Sequence, residues 1–423
     1  MTEAAAADTG ITDAALTPVD VHLAAILDAI RPLAPAALPL AEAGGCVLAE
    51  DITARVALPS FDNSAMDGYA VRAADVASAT ERAPVTLPVT GEVTAGDPGA
   101  YALVPGTALR ITTGAQLPSG ADAVVPVEWT DGGAARVAIR QAPREGNAIR
   151  LAGGDAREGE TLLERGTRLR PMQIAVAAAA GRDRVLVRPR PRVVVLSTGN
   201  ELAEPGTPLV PGRIWDSNSY MIAAAAREAG CAACRHAIVP DDPAGVLPAL
   251  EDQLTRADLL VTTGGVSMGG EHDVVKAALR RLGTVTFRKV AMQPGMPQGF
   301  GTVGEDRTPL FTLPGNPVSA YVSFQLFVRP AIGALQGDRA LRLPVVRAAL
   351  TAGVRSPAGR RSFLRGVLGN GTGADGRRRV TPLSGQGSHQ IAALGRADAL
   401  IVVPERAAQL SEGDEVDVLV LPA

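Results

Sequence analysis

The middle of the chain alternates short apolar runs with longer amphipathic segments. Strand-like runs occupy residues 192–196, 235–239, 258–262 and 309–313, and helix-like segments occupy 218–229, 243–254, 273–282 and 317–335. Apolar strands that alternate with helices of ten or more residues are typical of a parallel, doubly wound α/β domain. We therefore predict an α/β domain, suited to binding a ligand at its strand ends, over residues 181–336.

The flanking segments carry a β pattern instead. Short β-like runs separated by Gly, Pro and Asp lie at 69–71, 85–89, 108–111, 123–127 and 136–139, and again at 345–349, 363–367, 399–403 and 417–421. The fold class predicted is α/β plus β, multidomain, with a β-rich insert domain at 49–149 and a C-terminal β domain at 337–423. Residues 17–48 and 150–180 would form a linker or dimerisation domain, and residues 1–16 a disordered tail.

The first helix has recognisable start signals. Thr17 suits the N-cap, Pro18 the first helical position, and Asp20 the positive end of the helix dipole, so we expect a helix from there to about Ile30.

Charge and composition exclude several classes of protein. The chain has 41 basic and 44 acidic residues, a net charge of −3, which does not favour a nucleic-acid groove or a membrane-coating face. Its three cysteines are too few for a disulfide framework. The apolar stretch 309–328 is interrupted by Pro314, Gly315, Asn316 and Pro317, and residues 1–10 lack a signal-peptide pattern. These features predict a cytoplasmic protein.

Three Gly-containing loops follow predicted strands of the α/β domain. They read Ser-Thr-Gly-Asn-Glu at 197–201, Thr-Gly-Gly-Val-Ser at 263–267 and Leu-Pro-Gly-Asn-Pro at 313–317. In open α/β sheets ligands bind beyond the C-terminal strand ends, and backbone N–H groups at a helix start suit an oxyanion. A fourth polar loop at 58–70 contains Asp62, Asn63, Ser64 and Asp67, and taken alone it favours a turn stabilised by its own side chains.

Taken together, these segments resemble the MoeA/gephyrin E-domain family, the molybdopterin molybdenumtransferases. The resemblance rests on the loop at 58–70, Arg-Ile-Thr-Thr-Gly at 110–114, residues 118–125 and 146–155, Ser-Thr-Gly-Asn-Glu-Leu at 197–202, and Asp-Ser-Asn-Ser at 216–219. It also includes Thr-Gly-Gly-Val-Ser at 263–267, Leu-Pro-Gly-Asn-Pro-Val-Ser at 313–319 and, more weakly, Ser388-His389.

The resemblance implies an enzyme of molybdenum-cofactor biosynthesis. Adenylated molybdopterin and molybdate would be the substrates, AMP would be released, and molybdenum would be bonded to the dithiolene sulfurs with the help of Mg²⁺. A homodimer with an active site shared between subunits is expected, with a molybdopterin adenylyltransferase and molybdoenzymes as partners.

The family motifs also imply the site residues. The catalytic candidates are Asp62, Asp155, Glu201, Asp216 and Asp273, of which Glu201 and Asp216 are the expected metal ligands. The substrate-binding candidates are Thr113, Arg150, Ser197, Thr198, Gly199, Ser217, Asn218, Gly264, Gly265, Ser267, Pro314, Gly315, Asn316, Pro317, Ser319, Arg365 and Ser388.

The sequence departs from the family at one anion-binding segment. The usual Lys-Pro-Gly-Lys-Pro reads Gln293-Pro-Gly-Met296-Pro here, so Arg365 or Arg361 would have to supply the missing positive charge. The segment before Asp273 is one residue longer than usual, which makes Glu271 the alternative to Asp273.

Two further motifs have structural explanations. Cys231-Ala-Ala-Cys234 lacks the additional ligands of a zinc site and is expected to be buried structural sequence. Gly-Thr-Gly-Ala-Asp-Gly at 371–376 lies between β-like runs and predicts a hairpin loop, not a dinucleotide site.

Two alternative functions stay open from sequence. One is a binding module that holds molybdopterin or a partner without turnover, which the missing lysines favour. The other is a molybdopterin adenylyltransferase, which resembles only the α/β domain and leaves the flanking β-rich domains unexplained.

Overall fold

A computed structural model of the chain describes residues 16–240, 243–264, 279, 285–338, 342–373 and 376–422. The chain forms two compact units. Unit 1 contains the described parts of Met1–Ala36, Gly45–Val47 and Arg188–Ala423, and unit 2 contains Ala37–Gly44 and Leu48–Val187.

The described α-helices are α1 Val19–Ala29, α2 Pro171–Ala179, α3 Asn218–Glu228, α4 Pro243–Leu254, α5 Pro317–Ser323, α6 Arg329–Gln336 and α7 Ile391–Leu394. A π-helical segment, Phe324–Val328, joins α5 to α6, and short 3₁₀ turns occupy Leu40–Glu42, Ala73–Val76 and Val127–Trp129.

The described strands up to Arg188 are β1 Ala36–Pro39, β2 Val47–Leu48, β3 Ile52–Thr53, β4 Asn63–Ser64, β5 Gly68–Val71, β6 Val85–Val93, β7 Ala108–Ile111, β8 Ala123–Pro126, β9 Arg136–Ile139, β10 Ile149–Arg150, β11 Thr161–Leu163 and β12 Arg184–Arg188. Those that follow are β13 Arg192–Ser197, β14 Leu202–Ala203, β15 Ile214–Trp215, β16 Ala232–Arg235, β17 Leu259–Thr263, β18 Thr286–Lys289, β19 Met292–Gln293, β20 Pro297–Val303, β21 Thr308–Leu313, β22 Val345–Leu350, β23 Val354–Arg355, β24 Arg361–Thr372, β25 Arg378–Pro382, β26 Ala399–Val403, β27 Gln409–Leu410 and β28 Glu415–Val420.

Unit 2 is built on a five-stranded sheet in the order β8-β5-β7-β6-β9. Only the β6–β7 pair in it is parallel, so the sheet is mainly antiparallel. Side chains such as Tyr69, Val71 and Val125 pack on one face of the sheet, and alternate residues such as Ala70 and Val124 pack on the other. The sequence predicted these strands to within a few residues because each apolar run is bounded by turn residues.

Unit 1 contains a six-stranded sheet in the order β16-β13-β17-β21-β20-β18. The first four strands are mutually parallel, and β20 and β18 are antiparallel to their neighbours. Apolar clusters cover the sheet on both faces, as expected for a doubly wound domain, and confirm the predicted α/β fold class.

Two details of this sheet differ from the prediction. The run at 235–239 is not the edge strand, which lies at Ala232–Arg235, because α3 ends at Glu228 and the chain turns through Gly230 directly into the sheet. Val239 keeps only an isolated bridge to Thr198. The antiparallel strands β18 and β20 had no clear sequence signal, and the helix predicted at 273–282 lies outside the described residues except for Leu279.

The rest of unit 1 forms a second sheet in the order β19-β24-β25-β22-β28-β26. An additional pairing of β26 with β24 closes five of these strands into a barrel, so the C-terminal region is of the predicted β class, and its closure into a barrel was not predicted. Strands β24 and β25 are joined as a hairpin, in agreement with the interpretation of the Gly-rich loop at 371–376.

Helix α1 begins later than predicted. Pro18, not Thr17, is the N-cap residue, and its carbonyl accepts the His22 N–H at 3.0 Å. Thr17 instead pairs with the sheet region, since its N–H donates to the Lys289 carbonyl at 2.8 Å. Asp20 is more than a dipole partner, because it forms a bidentate ion pair with Arg361 at 2.9 and 3.1 Å.

The continuous helical segment Pro317–Gln336 is the one described helix long and apolar enough to cross a membrane by length and composition. Its most apolar window is 78% buried, so it is the central core helix of unit 1.

Candidate active site

The strand-end loops of unit 1 meet at one edge of the sheet. The Thr198 N–H donates to the Thr263 carbonyl at 3.1 Å, and the Gly264 N–H donates to the Leu313 carbonyl at 3.2 Å. Gly264 has φ +95°, and a side chain there would collide with the Thr198 carbonyl 2.5 Å away. The close approach of the three loops therefore depends on glycine at this position.

Asp216 lies at the centre of a buried polar network beside these loops. Its side chain is 1% exposed, and one carboxylate oxygen accepts from Ser197 Oγ at 3.0 Å and from the Ser219 N–H at 3.1 Å. The other oxygen accepts from Ser219 Oγ at 2.5 Å and lies 3.6 Å from the Arg235 guanidinium. This carboxylate is satisfied by the protein itself.

Arg235 links the network to the surface. Its guanidinium also binds Glu204 at 3.0 Å and stacks over the Tyr220 ring at 3.5 Å. Arg235, Tyr220 and Ser219 were absent from the sequence-derived site. Ser219 could have been found from the Asp-Ser-Asn-Ser spacing at 216–219, which suits a helix start, whereas the misplaced edge strand concealed Arg235.

Glu201 has a different environment. It is exposed, and its carboxylate lies over Gly199, where an added Cβ would approach it to 2.6 Å. Glu201 is therefore a carboxylate at the sheet edge that is accessible to a ligand.

The start of the long core helix gathers several predicted residues. Asn218 Nδ2 donates to the Gly315 carbonyl at 2.6 Å, and Asn316 Nδ2 donates to Ser388 Oγ at 3.0 Å. The Val318 N–H donates to the Ser388 carbonyl at 3.1 Å, and Ser319 is buried in the first turn. Ser388, the weakest sequence match, thus lies directly against the helix N-terminus. Pro314 and Pro317 flank this turn, while Ser217 is exposed at the N-cap of α3.

Arg365 is a buried cation beside the same loop. It is 1% exposed, and its guanidinium donates to the carbonyls of Gly385 and, at 3.2 Å, Gly387. Within the described residues it pairs with no carboxylate, and its Nε has no hydrogen-bond partner. Burial lowers the pKa of Arg365 from its ordinary value. A buried, uncompensated guanidinium is a strong attractor for an anion.

Arg361, the other candidate replacement for the lysines, is neutralised. It contacts Asp20 and also Glu405 at 2.9 Å, and these hydrogen bonds raise its pKa and lower that of Asp20. Of the two arginines, only Arg365 lacks a carboxylate partner among the described residues.

The segment that replaces the family lysines is held firmly in place. Gln298 Nε2 donates to the Gly295 carbonyl at 2.5 Å and to Ser323 Oγ at 2.6 Å. Gln293 pairs with Ser362 in the barrel sheet, and its side chain is exposed, while that of Met296 is half-buried. Both positions could accommodate a longer cationic side chain.

Unit 2 brings its own predicted residues together. Strand β4 in the loop at 58–67 pairs with β10, which places Asn63 opposite Arg150. Asp62 Oδ1 accepts the Ala152 N–H at 2.7 Å, and the Asp155 N–H donates to the Leu58 carbonyl at 2.9 Å. Asp62, Arg150 and Asp155 are all exposed.

Thr113 joins this cluster through a residue that sequence reasoning did not select. Its N–H and hydroxyl donate to Asp67 Oδ1 at 2.7 and 2.9 Å, and these hydrogen bonds lower the pKa of Asp67. The Gly114 N–H donates to the Ser64 carbonyl at 2.8 Å, which fixes the loop against β4. Nothing in the sequence distinguished Asp67 from its neighbours in the loop.

Three predicted residues, Gly265, Ser267 and Asp273, and the alternative Glu271 lie outside the described residues. In the described part of the chain, no group of three or more His, Cys, Asp or Glu side chains is arranged to hold a metal ion. Of the CxxC cysteines, Cys231 is buried as expected, whereas Cys234 is exposed, which corrects the expectation for that residue.

Three family descriptions match almost the whole chain. Residues 17–181 match the MoeA N-terminal region (domain I and II), residues 194–334 a probable molybdopterin binding domain, and residues 347–421 the MoeA C-terminal region (domain IV).

Among the relatives, molybdopterin molybdenumtransferase 2 of Mycobacterium tuberculosis is 45% identical over 95% of this chain and 98% of its own length. The Haemophilus influenzae molybdopterin molybdenumtransferase is 36% identical over 90% of this chain and 92% of its own. The molybdopterin biosynthesis MoeA protein from Pyrococcus horikoshii has a TM-score of 0.80 and 32% identity over 96% of this chain and 100% of that structure. The chain therefore belongs to the MoeA family of molybdopterin molybdenumtransferases.

Proposed function

We propose that this protein is a molybdopterin molybdenumtransferase. It takes adenylated molybdopterin and molybdate, bonds molybdenum to the dithiolene sulfurs and releases AMP. The relatives that share its full length carry this name. The observation that best supports the chemistry is the uncompensated Arg365 beside the loop that meets the first turn of the core helix.

Molybdate would bind at this helix N-terminus. The helix dipole favours a dianion, and Ser319 and Ser388 add hydroxyl donors. Arg365 supplies the positive charge, which compensates for the uncharged Gln293 and Met296. The soft thiolate ligands for molybdenum come from the pterin, so the protein needs no cysteine there.

Mg²⁺ would be held mainly by Glu201 and a substrate phosphate. Mg²⁺ usually binds one or two carboxylates together with phosphate oxygens and water, and Glu201 is exposed. Asp216 fits less well, because Ser197, Ser219 and Arg235 already occupy both its oxygens. When bound, Mg²⁺ would neutralise charge on the phosphate that leaves with AMP.

Asp216 would then be a positioning residue. It connects the Ser197 loop to the start of α3, whose Asn218 binds the Gly315 carbonyl. Through this chain of contacts it holds two of the three strand-end loops in register for the substrate.

We further propose a cytoplasmic homodimer whose active site is shared. Asp62, Thr113, Arg150 and Asp155 cluster in unit 2 and are exposed, which suits residues that act on a ligand held by the strand-end loops of a partner subunit. A molybdopterin adenylyltransferase would supply the substrate and molybdoenzymes would receive the product.

The alternative is a molybdopterin-binding protein without turnover, which the uncharged Gln293 and Met296 favour. The two functions are distinguished by measuring AMP release from adenylated molybdopterin with Mg²⁺ across a molybdate titration. Saturable, molybdate-dependent AMP release with molybdenum retained on the pterin is expected. Tight pterin binding without molybdate-dependent release would contradict the transferase.

Arg365→Met in the same titration tests the role of Arg365, and its matched control is Arg361→Met, which removes an arginine from the same strand. Because Arg361 is paired with Asp20 and Glu405, its loss should leave the half-saturating molybdate concentration unchanged.

A further inference from the structure

A pocket of about 340 Å³ lies in unit 1 between α1 and the antiparallel edge of the α/β sheet. Helix α1 contributes His22, Ala25, Ile26 and Ala29, which recur at the spacing of one helix face. None of its lining residues belongs to the loops at 197–201, 263–264 or 313–317. Its volume is at the small end of the range for ligand pockets, about 300–1,000 Å³.

His22 is buried in the wall of this pocket without a polar partner. It is 4% exposed, and its ring packs edge-on against Phe327 with centroids 4.9 Å apart. Within the described residues, neither ring nitrogen forms a hydrogen bond. Because His22 lines the cavity, its imidazole can donate to or accept from a ligand there.

Two arginines give the pocket positive charge. Arg288 and Arg307 line it, both are exposed, and within the described chain neither pairs with a carboxylate. Burial and the charge of Arg288 lower the pKa of His22 to about 4, so the imidazole is neutral at physiological pH and can both donate and accept. The remaining lining is mixed, because Thr286 and Thr302 are polar whereas Ala25, Ala29 and Phe300 are apolar.

We infer that this pocket binds a small organic anion whose carboxylate or phosphate group contacts Arg288 and Arg307 and whose apolar body lies against Phe300 and the Ala25–Ala29 face of α1, with His22 as a hydrogen-bond partner. The two arginines suit the anionic group, and Ala25, Ala29 and Phe300 give the apolar body a surface to contact. The inference does not rest on the proposed transferase reaction.

The test uses the full-length protein and four probes in titration calorimetry. Phenyl phosphate and benzoate carry both halves of the proposed ligand, and inorganic phosphate and benzyl alcohol each carry one. We expect saturable binding of phenyl phosphate or benzoate, at least tenfold tighter than either half-probe. Which of the two binds more tightly identifies the anionic group. If neither phenyl phosphate nor benzoate shows saturable binding up to roughly 10 mM, the inference is overturned.

Variants locate the site. Arg288→Gln should weaken probe binding about tenfold, and His22→Phe, which retains the packing on Phe327, should weaken it several-fold without changing the melting temperature at pH 7.5. Arg355→Gln is the matched control, since Arg355 is an exposed arginine of the same unit on β23.

A phosphate probe could also bind the helix N-terminus of the active site. Ser319→Ala separates the two locations, because it should leave probe binding at the α1 pocket intact. Binding that survives Arg288→Gln but is lost in Ser319→Ala would place the probe at the strand-end loops and refute the pocket.

Discussion

Two motif carboxylates, Asp216 of unit 1 and Asp62 of unit 2, lie in opposite environments. In unit 1, Asp216 is buried and its oxygens receive bonds from Ser197, Ser219 and Arg235. In unit 2, Asp62 is exposed and accepts a single hydrogen bond, from the Ala152 N–H. The family motifs therefore include one carboxylate that is bonded inside the protein and one that is open to solvent, and we expect only the second to contact substrate directly.

The largest expected effect tests this contrast directly. Asp216→Asn loses a charge-assisted acceptor in a buried network that contains Arg235, so we expect unit 1 to be destabilised by about 3 kcal/mol. Asp62→Asn keeps an oxygen for the Ala152 N–H at an exposed position, so its stability should change by less than about 0.5 kcal/mol while turnover is lost. Urea denaturation and AMP release, measured on both variants, check the pair. Equal destabilisation by Asp216→Asn and Asp62→Asn would contradict the distinction between the buried and the exposed carboxylate.

His22 extends the comparison to a buried group without partners. Its pKa in the folded protein is about 4, below its ordinary value of 6.5, because burial and Arg288 disfavour the charged form. As the pH falls from 6.5 toward 4, His22 therefore binds a proton in the unfolded chain but not in the folded protein. The contribution of neutral His22 to the free energy of unfolding is fully present above pH 6.5 and declines below it, by about 2 kcal/mol at pH 5.

Denaturation midpoints at pH 7.5 and pH 5 measure this effect. His22→Phe should remove that part of the pH dependence while other groups continue to titrate. An identical pH dependence in wild type and His22→Phe would show that His22 is not protonated on unfolding.

The fold was largely readable from the sequence because strands and helices differ in apolar period and are separated by turn residues. The β7, β9, α4 and β26 limits were predicted as the structure has them. The errors arose where contacts between distant segments decide the direction or the position of a strand. No local signal places β18 and β20 antiparallel at the sheet edge, and the edge strand begins at Ala232, three residues before the predicted run at 235–239.

For the site, the sequence identified the loops but not the state of their side chains. Arg361 and Arg365 are four residues apart on β24, and nothing in the sequence indicates that distant Asp20 neutralises only the first. The burial of Asp216 and the partnership of Thr113 with Asp67 likewise depend on segments far apart in the chain.

The two arginines of β24 sharpen the comparison of paired and unpaired charge. Arg365→Met should raise the half-saturating molybdate concentration about tenfold, equivalent to about 1.4 kcal/mol, because it removes a buried cation that has no carboxylate partner among the described residues. A molybdate titration of AMP release measures it, with Arg361→Met as control. An equal shift of the half-saturating molybdate concentration in both variants would show that the effect comes from a general disturbance of the barrel and not from loss of the unpaired Arg365 charge.

The smallest effect is expected from restoring charge at the family's lysine positions. Gln293 is exposed and Met296 half-buried on a turn fixed by Gln298, so Gln293→Lys with Met296→Lys adds two cations without disturbing packing. Solvent-exposed charges are strongly screened, so we expect molybdate to bind only about threefold more tightly, with the gain decreasing as salt is raised. A salt series of molybdate titrations on wild type and the double variant measures this. An unchanged molybdate dependence at low salt would mean that Arg365 already supplies the charge that the two lysines provide in other members of the family.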